Sequence, residues 1–104
     1  MYTYFETEMN INEIKTKVAK VAGQYGVEQV FLFGSYARGE ARPDSDIDIC
    51  IKKGKVRTLL DLSGFYLDLE ESLGQKVDVV TIESIKGEFK ENIEKELVEI
   101  YGAE

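Results

Sequence analysis

The sequence predicts an α/β (α+β) fold in which a small mixed β-sheet packs against helices. Three observations carry that expectation. Short runs rich in β-branched and aromatic residues alternate with longer stretches whose apolar residues recur at helical spacing. The run Asp46-Ile-Asp-Ile-Cys-Ile51 alternates strictly, which is the period of a strand with two different faces. Glycines at 26, 34, 74 and 102 stand where these stretches should end.

In chain order, Asn10 is placed to cap a first helix, with Glu13 reaching back in a capping box. Ile11, Ile14, Val18, Val21, Ala22 and Tyr25 then share one face, and Gly26 ends the helix. Val27 to Phe33 reads as the first strand, stopping at the turn Gly34-Ser35. A polar segment holding the single proline, Pro43, leads to the second strand at 46–51. A helix is expected from about Val56, with Leu59, Leu62, Phe65, Tyr66, Leu69 and Leu73 on its buried side and Gly74 as terminator. Lys76 to Thr81 reads as the third strand. Ile85, Phe89, Ile93, Leu97 and Tyr101 recur at near four-residue steps, which predicts one last amphipathic helix reaching Gly102.

Composition narrows the function classes. A chain of 104 residues falls in the range of one domain, and residues 1–104 are expected to form it. A 43% hydrophobic and 32% charged composition suits a soluble globular domain. No apolar run approaches the roughly 20 residues that a membrane span needs, and Met1-Tyr-Thr-Tyr-Phe-Glu lacks a secretory pattern, so a cytoplasmic protein is expected. Cys50 is alone and there is no histidine, so any metal must be held by oxygen. Cys50 itself reads as inert packing. The formal charge of −7 disfavours direct binding to long nucleic acid. A nucleoside triphosphate escapes that objection, because divalent cations can already neutralise its phosphates.

The chemistry is concentrated in a joint pattern: Gly34-Ser35, ten residues, Asp46-Ile-Asp48, and then Asp78 alone inside an apolar strand. Burying Ile47, Ile49 and Ile51 on one face sends Asp46 and Asp48 together to the other, their Cα atoms roughly 6.6 Å apart. That suits two divalent ions spaced roughly 3.5–4 Å apart. If the third strand lies beside the second, Asp78 joins them. Two unit charges roughly 4 Å apart cost about 4 kcal/mol at a protein-like dielectric, so such a trio calls for cations or protons. Mg²⁺ suits a few carboxylates completed by phosphates and water. Gly34 and Ser35 offer an open turn and a hydroxyl donor for the phosphates. Arg38 and Arg42 could grip phosphate in a forked manner, and equally could be solubilising loop charges.

These residues resemble the signature of the DNA polymerase β-like nucleotidyltransferase superfamily, a glycine-serine turn followed by an Asp-x-Asp strand and a third acidic strand residue. The resemblance runs through Phe33-Gly-Ser-Tyr-Ala-Arg-Gly-Glu-Ala-Arg-Pro-Asp-Ser-Asp-Ile-Asp-Ile49 and Lys76-Val-Asp78-Val-Val80. The short length is similar to the minimal nucleotidyltransferase (MNT) group, often antitoxins paired with HEPN-domain ribonuclease toxins. It implies the polymerase β-like fold, with Asp46, Asp48 and Asp78 as catalytic metal ligands and Asp78 also orienting or deprotonating the attacking hydroxyl. It implies triphosphate binding by Gly34 and Ser35, two Mg²⁺ ions, and ATP as the substrate. It further implies transfer of AMP to a tyrosine of a HEPN partner. The alternatives are an antitoxin or adaptor acting by binding alone, and transfer to a small molecule such as an aminoglycoside, for which a homo-oligomer could build the pocket.

Overall fold

The computed structural model describes residues 10–103. Its elements run α1 (Ile11–Tyr25), β1 (Gln29–Phe33), α2 (Gly34–Arg38), β2 (Ile47–Lys52), α3 (Leu59–Leu73), β3 (Val77–Thr81), α4 (Gly87–Glu94) and β4 (Val98–Gly102). The strands form one mixed sheet in the order β3-β2-β1-β4. β1 is antiparallel to both β2 and β4, whereas β2 and β3 are parallel and joined through α3. The mixed sheet with helices is therefore as the sequence predicts.

Local chemistry accounts for the helix ends. The Asn10 side chain accepts the Glu13 amide at 2.9 Å while the Asn10 amide donates to Glu13, closing the capping box. Gly26 and Gly74 end α1 and α3 in the left-handed conformation. α3 starts later than the sequence suggests, at Leu59, because Thr58 caps it by accepting the Asp61 amide at 3.0 Å.

Alternation divides the sheet into two layers. Ile47, Ile49, Ile51, Val30, Leu32 and Val77 face α1 and α3, where Ile14, Val18, Val21, Phe65, Leu69 and Leu73 complete the main core. The Phe65 ring packs edge-on to Tyr25, with centroids 5.8 Å apart. Cys50, Ile85 and Ile93 form a smaller cluster with Phe31, Phe33, Val80, Ile82 and Leu97. It covers part of the face that carries Asp48.

Two expectations fail. The last amphipathic stretch is not one helix: α4 stops at Glu94, and 98–102 form a strand antiparallel to β1. Without β4 the outer edge of β1 would leave its backbone groups unpaired, and a ladder satisfies them where a helix could not. Leu59, expected on the buried side of its helix, is 82% exposed, as is Leu60. The first turn of α3 lies outside the core, which the helix reaches only from Leu62 onward.

Candidate active site

Parallel pairing of β2 and β3 sets Asp48 opposite Asp78 in register, one step from Ile47 opposite Val77. Register partners in a sheet point to the same side, so these carboxylates share a face while Ile47 and Val77 lie in the core. Asp46 immediately precedes β2, and the Ile47 amide donates to the Lys76 carbonyl at 3.0 Å, which carries the pairing back to the level of Asp46. Asp78 is exposed on an edge strand, whereas Asp46 and Asp48 are half-buried.

Asp48 bears the electrostatic load. Its pKa is pushed up to about 6, first by burial and then by the charges of Asp78 and Asp46, with Glu96 adding to them and Arg38 opposing. Among the described residues, no three acidic side chains close into a ready-made metal cage. The donor set nevertheless fits a hard divalent cation, because it offers only carboxylate oxygens and carries negative charge that the protein leaves largely uncompensated.

The glycine-serine turn lies directly against this face. Gly34 has φ of 75°, and a Cβ there would overlap Asp48 Oδ2 and stand 3.0 Å from its Cγ. Glycine is therefore needed twice, for the left-handed backbone and for the close approach of the turn to the carboxylate. The expected turn opens into a short helix, α2, rather than a loop. Gly39 closes it in the left-handed conformation, its amide donating to the Ser35 and Tyr36 carbonyls. Ser35 sits at the start of α2, and its hydroxyl makes no hydrogen bond to protein among the described residues. Tyr36 is buried beneath, and its hydroxyl donates to Gln75 at 3.1 Å, while the Gln75 amide donates to the Pro43 carbonyl at 3.2 Å. Those bonds tie α2, the 42–45 turn and the approach to β3 into one rim.

The two arginines part company. Arg38 Nε donates to Glu40 at 2.9 Å, and Nη1 to Glu96 at 3.2 Å. Arg42 lies in an exposed turn where its amide donates to Ser45 Oγ at 2.8 Å. Among the described residues its guanidinium has no protein partner, and no contact links it to the carboxylates.

Sequence reasoning missed Glu96. It accepts the Gly34 amide at 2.9 Å and pairs with Arg38, so it borders the turn and the acidic face together. No local pattern marks it. Only the pairing of β1 with β4, across more than sixty positions of sequence, brings it there.

The family model described as Nucleotidyltransferase domain matches residues 11–100. A Methanocaldococcus jannaschii protein assigned to the protein adenylyltransferases is 46% identical over 92 residues, covering 88% of this chain and 99% of its own. A solved minimal nucleotidyltransferase superposes with a TM-score of 0.74 at 34% identity, covering 88% of this chain and 96% of that one. A solved complex of tri-AMPylated Shewanella oneidensis HEPN toxin with MNT antitoxin matches with a TM-score of 0.68 at 19% identity, over 89% of this chain and 73% of that one. At that identity the likeness is one of fold.

Proposed function

The chain belongs to the nucleotidyltransferase-domain family, of the minimal polymerase β-like kind, and from that premise we propose that it transfers AMP from Mg²⁺-bound ATP to a tyrosine hydroxyl of a HEPN-type partner protein. The observation that carries the reading is the register pairing of Asp48 with Asp78 beside the Gly34-Ser35 turn. The HEPN acceptor is supported by the solved toxin–antitoxin complex, whose toxin is AMPylated.

Asp46, Asp48 and Asp78 would hold two Mg²⁺ ions. When bound, these screen the triphosphate and stabilise the charge that builds on the phosphorus oxygens during displacement. Gly34 lets the turn approach the carboxylates without a side chain in the way, and Ser35 Oγ is free to donate to a phosphate oxygen. Arg38 keeps Nη2 without a protein partner among the described residues, available to a phosphate. The acceptor oxygen attacks the α-phosphorus, the bond to the β-phosphate bridging oxygen breaks, and pyrophosphate leaves with the electron pair. Asp78, exposed on the edge strand, would take the hydroxyl proton from an acceptor arriving from outside the chain. Positioning and electrostatics supply the catalysis, since no covalent protein intermediate is involved.

Incubation of the protein with ATP labelled at the α-phosphate, Mg²⁺ and a HEPN partner should move the label onto a partner tyrosine. Failure of transfer with a folded, nucleotide-binding protein would sink the reading. If the Asp46→Asn/Asp48→Asn variant still neutralised the partner fully, control by binding alone would replace it.

A further inference from the structure

The last register pair of the β1–β4 ladder is Leu32 with Val98. Continuing the antiparallel count by two residues sets Gly34 opposite Glu96, beyond the end of β4. The backbone of residue 96 supplies no rung there. Instead the Glu96 carboxylate accepts the Gly34 amide at 2.9 Å, so a side chain extends the ladder to the first residue of α2. The same carboxylate takes Arg38 Nη1 through both oxygens, at 3.3 and 3.2 Å.

Glu96 is itself held firmly. Its amide donates to the Ile93 carbonyl at 2.9 Å, and its neighbours Ile93 and Leu97 belong to the smaller core cluster. A carboxylate beside a triphosphate is electrostatically adverse. What it offers instead is geometry, since it fixes two donors at once and leaves Arg38 Nη2 without a hydrogen bond to protein among the described residues.

We propose that Glu96 is a positioning residue of the nucleotide site, pinning the Gly34 amide and one arm of Arg38 so that the glycine-serine turn and the guanidinium meet the triphosphate in a fixed geometry. This rests on the nucleotidyltransferase reading above. It also means that the Gly34 amide is committed to protein, and that phosphate is met by the rest of the turn.

The test measures Mg·ATP binding, KM and kcat for the wild type, Glu96→Ala and Glu96→Gln, with amide hydrogen exchange at Gly34. In Glu96→Ala, KM and the dissociation constant should rise about tenfold with a smaller change in kcat, and Gly34 exchange should accelerate. Glu96→Gln keeps an acceptor for the amide but loses the charge that pairs with Arg38, so it should restore Gly34 protection and only part of the binding. A purely structural role would lower the melting temperature and leave KM alone. Unchanged binding in Glu96→Ala overturns the proposal. Tighter binding also overturns it, and would show that Glu96 occupies space the phosphates need. Should Glu96→Ala not fold, Glu96→Gln decides: unchanged or tighter binding rejects the inference, and a weaker complex with Gly34 still protected upholds it through Arg38. A wild type that binds no Mg·ATP would remove the function reading and this one together. A wild type that binds it without transferring label would remove only the modification reading.

Discussion

Asp48 and Asp78 stand in register on adjacent parallel strands, two carboxylates on one face, with a third, Asp46, two residues before Asp48. The fold brings like charges together and supplies little to neutralise them. Arg38, the nearby cation, is already shared between Glu40 and Glu96. The site is thus left with a deficit of positive charge that divalent cations could fill.

Replacing Asp48 by asparagine keeps its size and removes its charge. Label transfer should fall by about a hundredfold or more, since metal-borne charge stabilisation is worth several kcal/mol. The metal-free melting temperature should hold or rise, because a half-buried charge among like charges is lost. Parallel assays of transfer and melting decide it, and transfer within a few-fold of wild type would exclude Asp48 from the metal site.

Acidity should tune both metal binding and stability. Asp48 titrates at about 6 in the fold against an ordinary value of 3.8, so between those values the folded chain holds more proton than the unfolded one. Its contribution is therefore most favourable below 3.8 and is lost as the pH rises through about 6. Metal binding runs the other way, weakening by up to about tenfold per pH unit below the folded value as protons compete for the carboxylate. Mg²⁺ titrations and metal-free melting curves from pH 4 to 8 should show these opposite trends, both levelling off above about 6.

Gly34 and Gly39 separate backbone strain from steric contact. Both have positive φ, of 75° and 74°, but a Cβ at Gly39 meets nothing within 4 Å whereas one at Gly34 overlaps Asp48. Gly39→Ala should cost about 1 kcal/mol with transfer retained. Gly34→Ala should cost about 2–4 kcal/mol by adding displacement of the carboxylate, and should abolish transfer. Chemical denaturation and the transfer assay read both effects.

The two ends of α3 should respond very differently to truncation. Phe65 is fully buried against Tyr25, and Phe65→Ala should cost about 3–5 kcal/mol. Leu60 is 82% exposed, and Leu60→Ala should stay within about 0.5 kcal/mol. Equal losses in urea unfolding would contradict the placement of the first turn outside the core.

Much of this molecule was legible in order along the chain. The capping box at Asn10, the glycine stops at 26 and 74 and the two faces of the 47–51 run follow from local rules, because caps and side-chain alternation depend on residues a few positions apart. Alternation alone separated Asp46 and Asp48 from the isoleucines. What one dimension could not settle was pairing. Whether residue 78 met residue 48 depended on β3 choosing β2, and the four-residue spacing of Phe89, Ile93, Leu97 and Tyr101 fitted a helix as well as a helix followed by a strand. The open edge of β1 resolved that ambiguity, since its amides and carbonyls needed partners that only β4 could bring. Glu96 came with β4. Local sequence determined which side chains share a face, and long-range hydrogen bonding decided which faces meet.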